Sequence, residues 1–564
     1  MRAGRLALSG VALGMSVAAA VAGPIEQKTK AAAPEWSWQG FYAGVHFGGG
    51  GGRTAISHPV GPTLFGDRMN TPAAFGGFQL GYNWTLPNSD WVFGLEADIS
   101  AVDQDSTTTC LAVSGFHVSL NCRLRDHAKG SLTARLGLPV SADKRSLLYV
   151  RGGAAWLANR FEIAGNARPL EPQARMTSTN WGWTAGVGIE RALTPAWSLR
   201  LAYDYTRIRG GSLQSPPVMW QTMPPFDNYV PLPGVMTSSD HSLSLVSLGL
   251  NYRFGADPVA RFDDVAMKPG QAAAASGWRA EFGARYWYSS GRYQKDLGST
   301  SSPALQNVLV SRLIYESSGP SGELFGRIDA PSGMFAKGFV GAGGLKSGRM
   351  YDEDWLISNA TVPYSNTLSD GVSGSITYAT LDLGYDVLRT EDHRLGGFIG
   401  YNFYRENKGA YGCVQFANPF AGCVPPYGFP SSMLIMTEDD DWHSLRIGVA
   451  GEIALAPGLR LSTEAAYLPY VRMTGVDNHI QRTDVTNTIS PEFAKGQGVQ
   501  LEALLSYALT PKFSLGVGGR YWAMWATNDA YTNAFGTPCP DCQTLPSRTE
   551  RYGMFVQASY KFGN

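Results

Sequence analysis

The sequence predicts an all-β membrane protein with two transmembrane antiparallel β-barrels, eight strands in the first and ten in the second. Three observations lead to this prediction. The chain opens with an export signal. It contains long segments in which apolar and polar residues alternate, and these segments are joined alternately by short turns and by long polar loops. This combination is typical of outer-membrane barrels, whose strands alternate lipid-facing and inward-facing side chains.

Composition excludes several other classes of protein. The 564 residues include 46 basic and 46 acidic side chains, so the formal net charge is zero, which argues against a nucleic-acid-binding protein. Charged residues make up 16% of the chain, below the roughly 25% of soluble domains. The 67 glycines and the 12% aromatic content also disfavour disorder, because disordered chains have few aromatics and many charges.

The N-terminus reads as a secretory signal. Arg2 and Arg5 precede an apolar stretch at 9–22 that ends in the small residues Ala-Val-Ala. We therefore predict a signal peptide at 1–22 and a flexible leader at 23–35. No later apolar run approaches the roughly 20 residues of a membrane helix, so the exported chain must cross a membrane as strands.

Period-two alternation marks the strands. Residues 246–254 place apolar and aromatic side chains at even positions, with small, polar or basic ones between them, and residues 552–562 follow the same pattern except at Phe555. A half-buried strand of a soluble sandwich also alternates, but the export signal and the repetition along the chain favour a barrel. Turn signals then predict eight strands in 36–255, a non-periodic linker at 256–277 and ten strands in 278–564.

Six cysteines in an exported chain indicate disulfides. They fall two by two inside three predicted external loops, and barrel geometry keeps distant loops apart. We therefore expect three local bridges, namely Cys110–Cys122, Cys413–Cys423 and Cys539–Cys542.

The first half resembles a known family. The segments that carry the resemblance are WQGFYAG at 38–44, GLEAD at 94–98, GWTAGVG at 182–188 and GLNYRF at 249–254. Together they are similar to the small alphaproteobacterial outer-membrane barrel family. That resemblance implies an eight-stranded barrel filled by side chains, with a structural and not an enzymatic role.

Candidate catalytic residues lie in the second half. Asp352 and Asp354 follow the third predicted strand of the second barrel, and Asp477 and His479 follow its seventh. Both pairs should lie at the external rim, and a spacing of two puts each pair on one face of an extended chain. His479 would be a general base, Asp477 would orient it, and the acidic pair would orient a water molecule or accept protons.

These residues resemble the omptin family, ten-stranded outer-membrane endopeptidases with an Asp-x-Asp-Trp motif and an Asp-x-His dyad. The resemblance covers 278–564 and includes Trp355. It implies an aspartic-type endopeptidase without metal or cofactor, with lipopolysaccharide as a candidate requirement for activity. The implied partners are outer-membrane lipid, lipopolysaccharide and peptides or proteins at the cell surface, and no nucleic acid.

Two features depart from the omptin pattern. The family uses an acidic residue two positions before the dyad aspartate and a glutamate on the first hairpin, and both favour cleavage beside basic residues. This chain has Gly475 at the first place, and residues 290–295 offer no glutamate. A preference for basic residues is therefore not expected.

Two alternatives remain open at this point. The acidic segment at 438–441, followed by His443, could form a rival dyad, although a solvated acidic loop is the simpler interpretation. The whole chain could also be a non-catalytic structural or porin-like protein, including a single 18-stranded barrel.

Overall fold

A computed structural model describes the chain in segments, and every regular element in it is a β-strand. No described residues form a helix long and apolar enough to cross a membrane. The predicted signal peptide, the leader, most of the linker (256–276), Trp355 and the Cys539–Cys542 pair lie outside the described residues. The described ranges are 36–57, 68–110, 120–141, 143–165, 174–216, 218–221, 229–255, 277–298, 309–354, 365–390, 393–417, 423, 428–482, 488–526 and 547–563.

The first sheet closes through eight long strands. Neighbours in the chain pair antiparallel, and the ring closes where β1 pairs with β11, as in Val45 opposite Leu250. The short β2 extends the edge of β1, and β9 pairs only with β10. The strands are β1 (Gly40–Ile56), β2 (Arg68–Asn70), β3 (Ala73–Thr85), β4 (Val92–Cys110), β5 (Leu120–Pro139), β6 (Ser146–Gly165), β7 (Ala174–Ala192), β8 (Trp197–Gln214), β9 (Val218–Gln221), β10 (Tyr229–Leu232) and β11 (Met236–Arg253).

The second sheet rings through ten strand positions and closes where β12 pairs with β23. Its third position is divided into β14 and β15, and its fourth into β16 and β17. Two closed antiparallel sheets of eight and ten strands confirm the predicted fold class, and a single 18-stranded barrel is not formed. The strands are β12 (Arg279–Gly298), β13 (Leu309–Asp329), β14 (Met334–Leu345), β15 (Ser347–Asp354), β16 (Ser365–Ser369), β17 (Gly371–Arg389), β18 (His393–Ala417), β19 (Phe429–Ala456), β20 (Leu459–Asn478), β21 (Ile489–Ala508), β22 (Phe513–Ala526) and β23 (Ser547–Phe562).

Tight turns join the strands at one end of each barrel. The turn after β13 contains Gly333 at φ 93° and the turn after β19 contains Gly458 at φ 77°, a left-handed region that glycine enters without a steric penalty. Asn88, in the turn between β3 and β4, has φ 55°. These positions match the short turns expected from the sequence, so the long connections emerge at the opposite, external end.

The outer faces carry the apolar side chains. On the second barrel a row of exposed tyrosines, Tyr288, Tyr401, Tyr470 and Tyr552, lies next to a band of exposed aliphatic residues that includes Leu383, Ile399 and Val556, on its external side. Such a row is the aromatic girdle that sits at the membrane–water interface. We call the parts of the strands beyond these tyrosines the external rim, and it lies outside the membrane-spanning segments.

Ion pairs fill the first lumen. Glu96 is 1% exposed and accepts hydrogen bonds from Arg151 at 2.5 Å and from Arg200 at 2.6 Å. Asp98, on the same strand face, instead hydrogen-bonds with Ser131. Buried charges are costly unless they are paired, and in these networks the acidic and basic side chains pair with one another. Together they fill the interior, which is narrow in a barrel of eight strands.

The second lumen is filled in layers. Near its middle Arg520 donates to Glu323 at 2.7 Å, and Trp287, Tyr378 and Trp522 pack edge to face directly beside it. Trp287 and Tyr378 are both 0% exposed. The middle of the second barrel is therefore closed by side chains.

Two of the three expected disulfides lie among the described residues. Cys110, the last residue of β4, bonds to Cys122 of β5, and Cys413 of β18 bonds to Cys423, which lies between β18 and β19. The local pairing inferred from barrel geometry is confirmed for both.

Because both lumens are filled, we expect the purified protein to show little or no conductance in planar lipid bilayers. A general porin measured in the same bilayer provides the positive control. Large and stable channels would contradict the filled lumens described above.

Non-reducing peptide mapping should link residue 110 to 122, 413 to 423, and 539 to 542. Barrel geometry keeps cysteines of different hairpins apart, so we expect each bridge to join two cysteines that are close in the chain. Free thiols at all six positions would show that the compartment or the pairing has been misjudged.

Candidate active site

The acidic pair lies on a strand. Asp352 and Asp354 belong to β15, where they stand opposite Leu313 and Ser311 of β13. The sequence placed them just past the third strand, but pairing with β13 on one side and β16 on the other extends the sheet beyond the membrane. The strand therefore holds both carboxylates in a fixed register.

The alternation of β15 separates its three acidic side chains. Glu353 points outward, where it is 2% exposed and accepts a hydrogen bond at 2.9 Å from Thr109 of the first barrel. Asp352 shares the inward face with Leu313, which is 0% exposed in the core of the second barrel. Asp352 and Asp354 thus face the lumen together.

The second pair lies across the lumen on the seventh strand. Asp477 is in β20, and His479 follows directly after it, with its backbone N–H donating to Thr488 O at 2.9 Å. Nδ1 of His479 is 3.4 Å from Oδ1 of Asp477. The histidine side chain is 20% exposed and the aspartate 2%, so the imidazole faces the external opening while its partner lies beneath it.

The two pairs are close enough to affect one another's charge. Burial raises the pKa of Asp352 well above its usual range, and the charges of Asp354 and Asp477 raise it further. Burial also raises the pKa of Asp354, against an opposing effect of His479. The site therefore joins two carboxyls that hold protons strongly to an Asp–His pair.

Beneath the histidine lies a group that we call the carboxylate cage, formed by Glu438, Asp477 and Glu492 on three adjacent strands. Lys295 reaches into it from β12. Its Nζ is 2.6 Å from Glu438, 3.0 Å from Asp477 and 2.6 Å from Glu492. Oxygens of the three carboxylates lie within 4.8 Å of one another, a spacing that could hold a metal ion, but the ammonium occupies that space.

Charges in the cage depend on this contact. Burial alone would lower the pKa of Lys295, but Asp477, Glu438 and Glu492 outweigh it and raise that pKa well above its ordinary value. Burial raises the pKa of Glu438 to about 8. The charge of Lys295 opposes this rise, and the charges of Glu492 and Asp477 add to it. Burial likewise raises the pKa of Glu492 to about 7. Lys295 therefore keeps its charge, while Glu438 and Glu492 bind a proton more tightly than exposed glutamates do.

The rival acidic segment is divided by the alternation of β19. Glu438 and Asp440 are both 0% exposed and point inward, to Lys295 and Lys408 respectively. His443 instead lies on the outer face, where it contacts Tyr401. The histidine and the inward carboxylates are thus on opposite faces and do not form a dyad.

Sequence reasoning did not identify Lys295, Glu438 or Glu492 as part of the site. Residues 290–295 lack the glutamate of the omptin pattern, and the structure shows that Lys295 from this segment contacts Asp477. A lysine at the external end of a strand that otherwise alternates apolar-out is a weak signal, because most such lysines are solvated.

Two family comparisons match different parts of this chain. Residues 9–254 match the family described as outer membrane protein beta-barrel domain, and residues 334–534 match the omptin family. The chain carries an outer-membrane β-barrel domain followed by an omptin-family domain. Both resemblances inferred from the sequence are thus confirmed, and the protein belongs in the outer membrane.

Individual relatives match either half. The 31 kDa outer-membrane immunogenic protein of Brucella melitensis is 28% identical over 236 residues, which are 40% of this chain and 88% of that protein. The 22 kDa outer membrane protein of Rhizobium leguminosarum is 30% identical over 174 residues, 31% of this chain and 65% of that protein. The crystal structure of the outer membrane protease OmpT from Escherichia coli covers 53% of this chain and 100% of its own, at 14% identity and TM-score 0.43.

The raised pKa values in the cage predict a pH-dependent stability. Glu438 and Glu492 bind protons more tightly in the folded chain than at their ordinary pKa of 4.5, so between about pH 4.5 and pH 8 the folded state holds more protons. Stability should therefore fall as pH rises through this window. In Glu438→Gln the side chain at position 438 cannot titrate. Its thermal midpoint in detergent should therefore fall less than that of wild type between about pH 5 and pH 9, a range that includes most of this window.

Glu316→Gln serves as the matched control, because Glu316 is a half-exposed carboxyl on the outer face. It should keep the wild-type slope of thermal midpoint against pH. Equal slopes for Glu438→Gln and wild type would refute the assignment of this dependence to the cage.

Proposed function

We propose that the second barrel is an endopeptidase that hydrolyses peptide bonds at the cell surface with a water molecule activated by the Asp477–His479 pair. The observation that carries this proposal is the meeting of two carboxyls from β15 with an Asp–His pair from β20 at the external rim. The omptin-family match over 334–534 includes all four residues and supports it.

Each group has a role in the proposed reaction. His479, open to solvent, takes a proton from the attacking water, and Asp477 beside its Nδ1 orients the ring and stabilises the positive charge that develops. Asp352 and Asp354 face the same space, and their raised pKa values suit groups that orient the water and accept protons. A peptide carbonyl between the two pairs would be attacked by that water.

The position of the site favours surface substrates. All four residues lie in the external rim, beyond Tyr288, Tyr470 and the rest of the tyrosine row. The filled layer around Arg520 and Trp522 lies between the site and the periplasmic end. Peptides or proteins would therefore reach the site from outside the cell, and lipopolysaccharide of the surrounding leaflet is the candidate partner for activity.

Substitutions test this mechanism directly. With purified protein in detergent and added lipopolysaccharide, we expect cleavage of a mixed peptide library. His479→Ala removes the base and Asp477→Asn misorients it, so each should lower kcat/KM by about 10²–10⁴-fold. Asp352→Asn and Asp354→Asn should also reduce the rate, because the water loses an acceptor.

His443→Ala is the matched control, because His443 lies on the outer face beside Tyr401 and should be nearly neutral. If a correctly folded wild-type barrel cleaves no member of the library, the non-catalytic structural alternative stands.

Inhibitor classes give a second test. The mechanism uses a water molecule and no serine or cysteine nucleophile, so reagents that modify serine or cysteine should leave the rate unchanged. EDTA should also have no effect, because the space within the carboxylate cage is taken by Lys295. Inhibition by EDTA that zinc or calcium reverses would contradict the mechanism.

A further inference from the structure

Lys295 is a buried lysine that contacts the candidate active site. Its side chain is 1% exposed, and its ammonium reaches across the lumen from β12 to three carboxylates on β19, β20 and β21. A buried ammonium is costly unless it is paired, and here three partners lie within 3.0 Å. One of them, Asp477, is the residue beside His479.

The geometry of the cage is that of a cation site. Glu438 and Asp477 stand directly opposite each other on neighbouring strands, and Glu492 lies on the next strand. Among the described residues, Oε1 of Glu438 and Oδ1 of Asp477 accept no hydrogen bond, although both atoms are buried. Three converging carboxylates with spare acceptor capacity are the kind of oxygen ligands that bind divalent cations such as Ca²⁺.

We propose that Lys295 is a positioning residue for the Asp477–His479 pair, and that its ammonium is the resident cation of the carboxylate cage. The ammonium takes the place of a metal ion. It binds Oδ2 of Asp477 and so fixes this side chain with Oδ1 directed towards His479. This inference rests on the proposed function for its catalytic consequence, but the occupation of the cage by Lys295 can be tested without any activity.

Lys408 offers a matched control within the same rim. Its side chain is 0% exposed and binds Asp440 and Glu406, so its removal takes a buried ammonium away from two buried carboxylates. Glu406 additionally accepts from Arg551 at 2.6 Å, which leaves a cation nearby when Lys408 is lost. Lys408 does not form an ion pair with Asp477.

The first experiment measures thermal stability and requires no enzymatic activity. Lys295→Ala leaves three carboxylates around an empty centre, so its thermal midpoint in detergent should rise with millimolar CaCl₂ (about 1–10 mM) more than those of wild type and Lys408→Ala. No calcium response in Lys295→Ala, or an equal response in Lys408→Ala, would overturn the assignment of Lys295 as the cage cation.

If Lys295→Ala is too unstable to isolate without calcium, refolding supplies the same readout. Recovery of the folded barrel from denaturant with CaCl₂, but not with EDTA, supports the proposal. Recovery only after Glu492→Gln is added, with no effect of calcium on either variant, shows simple charge repulsion and overturns it.

The second experiment measures catalysis. Because Lys295 acts on Asp477 and not on substrate, Lys295→Ala should lower kcat by about 10–100-fold with little change in KM, and CaCl₂ should restore part of the loss. Lys408→Ala should show neither the kcat-specific loss nor the rescue. An unchanged kcat in Lys295→Ala, with active wild type, refutes the positioning role. If wild type is inactive, only the proposed function is refuted. The effect of calcium on stability then still tests whether Lys295 occupies the cage.

Discussion

The membrane-spanning strands of this protein must satisfy their backbone hydrogen bonds among themselves, and sheet closure is the physical constraint on which the rest of the structure depends. Pairing of β1 with β11 and of β12 with β23 leaves no open edge in either ring. Closure also fixes the register, and register decides which residues face lipid. The period-two pattern of the sequence is the direct result, because a shift by one residue would turn charged side chains into the lipid.

A closed ring forces the charges of the interior to neutralise one another. Glu96 in the first barrel and Glu323 in the second are each held by arginines within the lumen. Unpaired, either carboxylate would carry a large desolvation cost. At the external rim the balance is different, since burial raises the pKa of both Asp352 and Asp354, which lie side by side on the inward face of β15. The rim thereby provides proton acceptors and donors that the neutralised lumen below does not.

Sequence alone predicted the fold class, the strand counts and two of the disulfides, because period-two alternation and turn residues are local signals. It also singled out Asp352, Asp354, Asp477 and His479, since a spacing of two on an extended chain specifies a shared face. It could not predict the contact of Lys295 with Asp477, because β12 and β20 meet only across the lumen of the closed barrel. Nor did it foresee that β15 continues the third strand, which depends on pairing with the distant β16 as well as β13.

The absence of an acidic residue at Gly475 has a steric and an electrostatic reason. A Cβ at this position would lie 3.0 Å from Oδ1 of Asp440, and Glu492 stands directly opposite on the other side. Acidic groups therefore flank the glycine from both neighbouring strands, so a further carboxylate there would meet like charges. These flanking groups are already bound to Lys408 and Lys295. In the proposed endopeptidase, a basic substrate side chain at this place would compete with two buried ammonium groups of the protein itself. Attraction of a cation beside the scissile bond would therefore be weaker than in an acidic pocket without such ammonium groups.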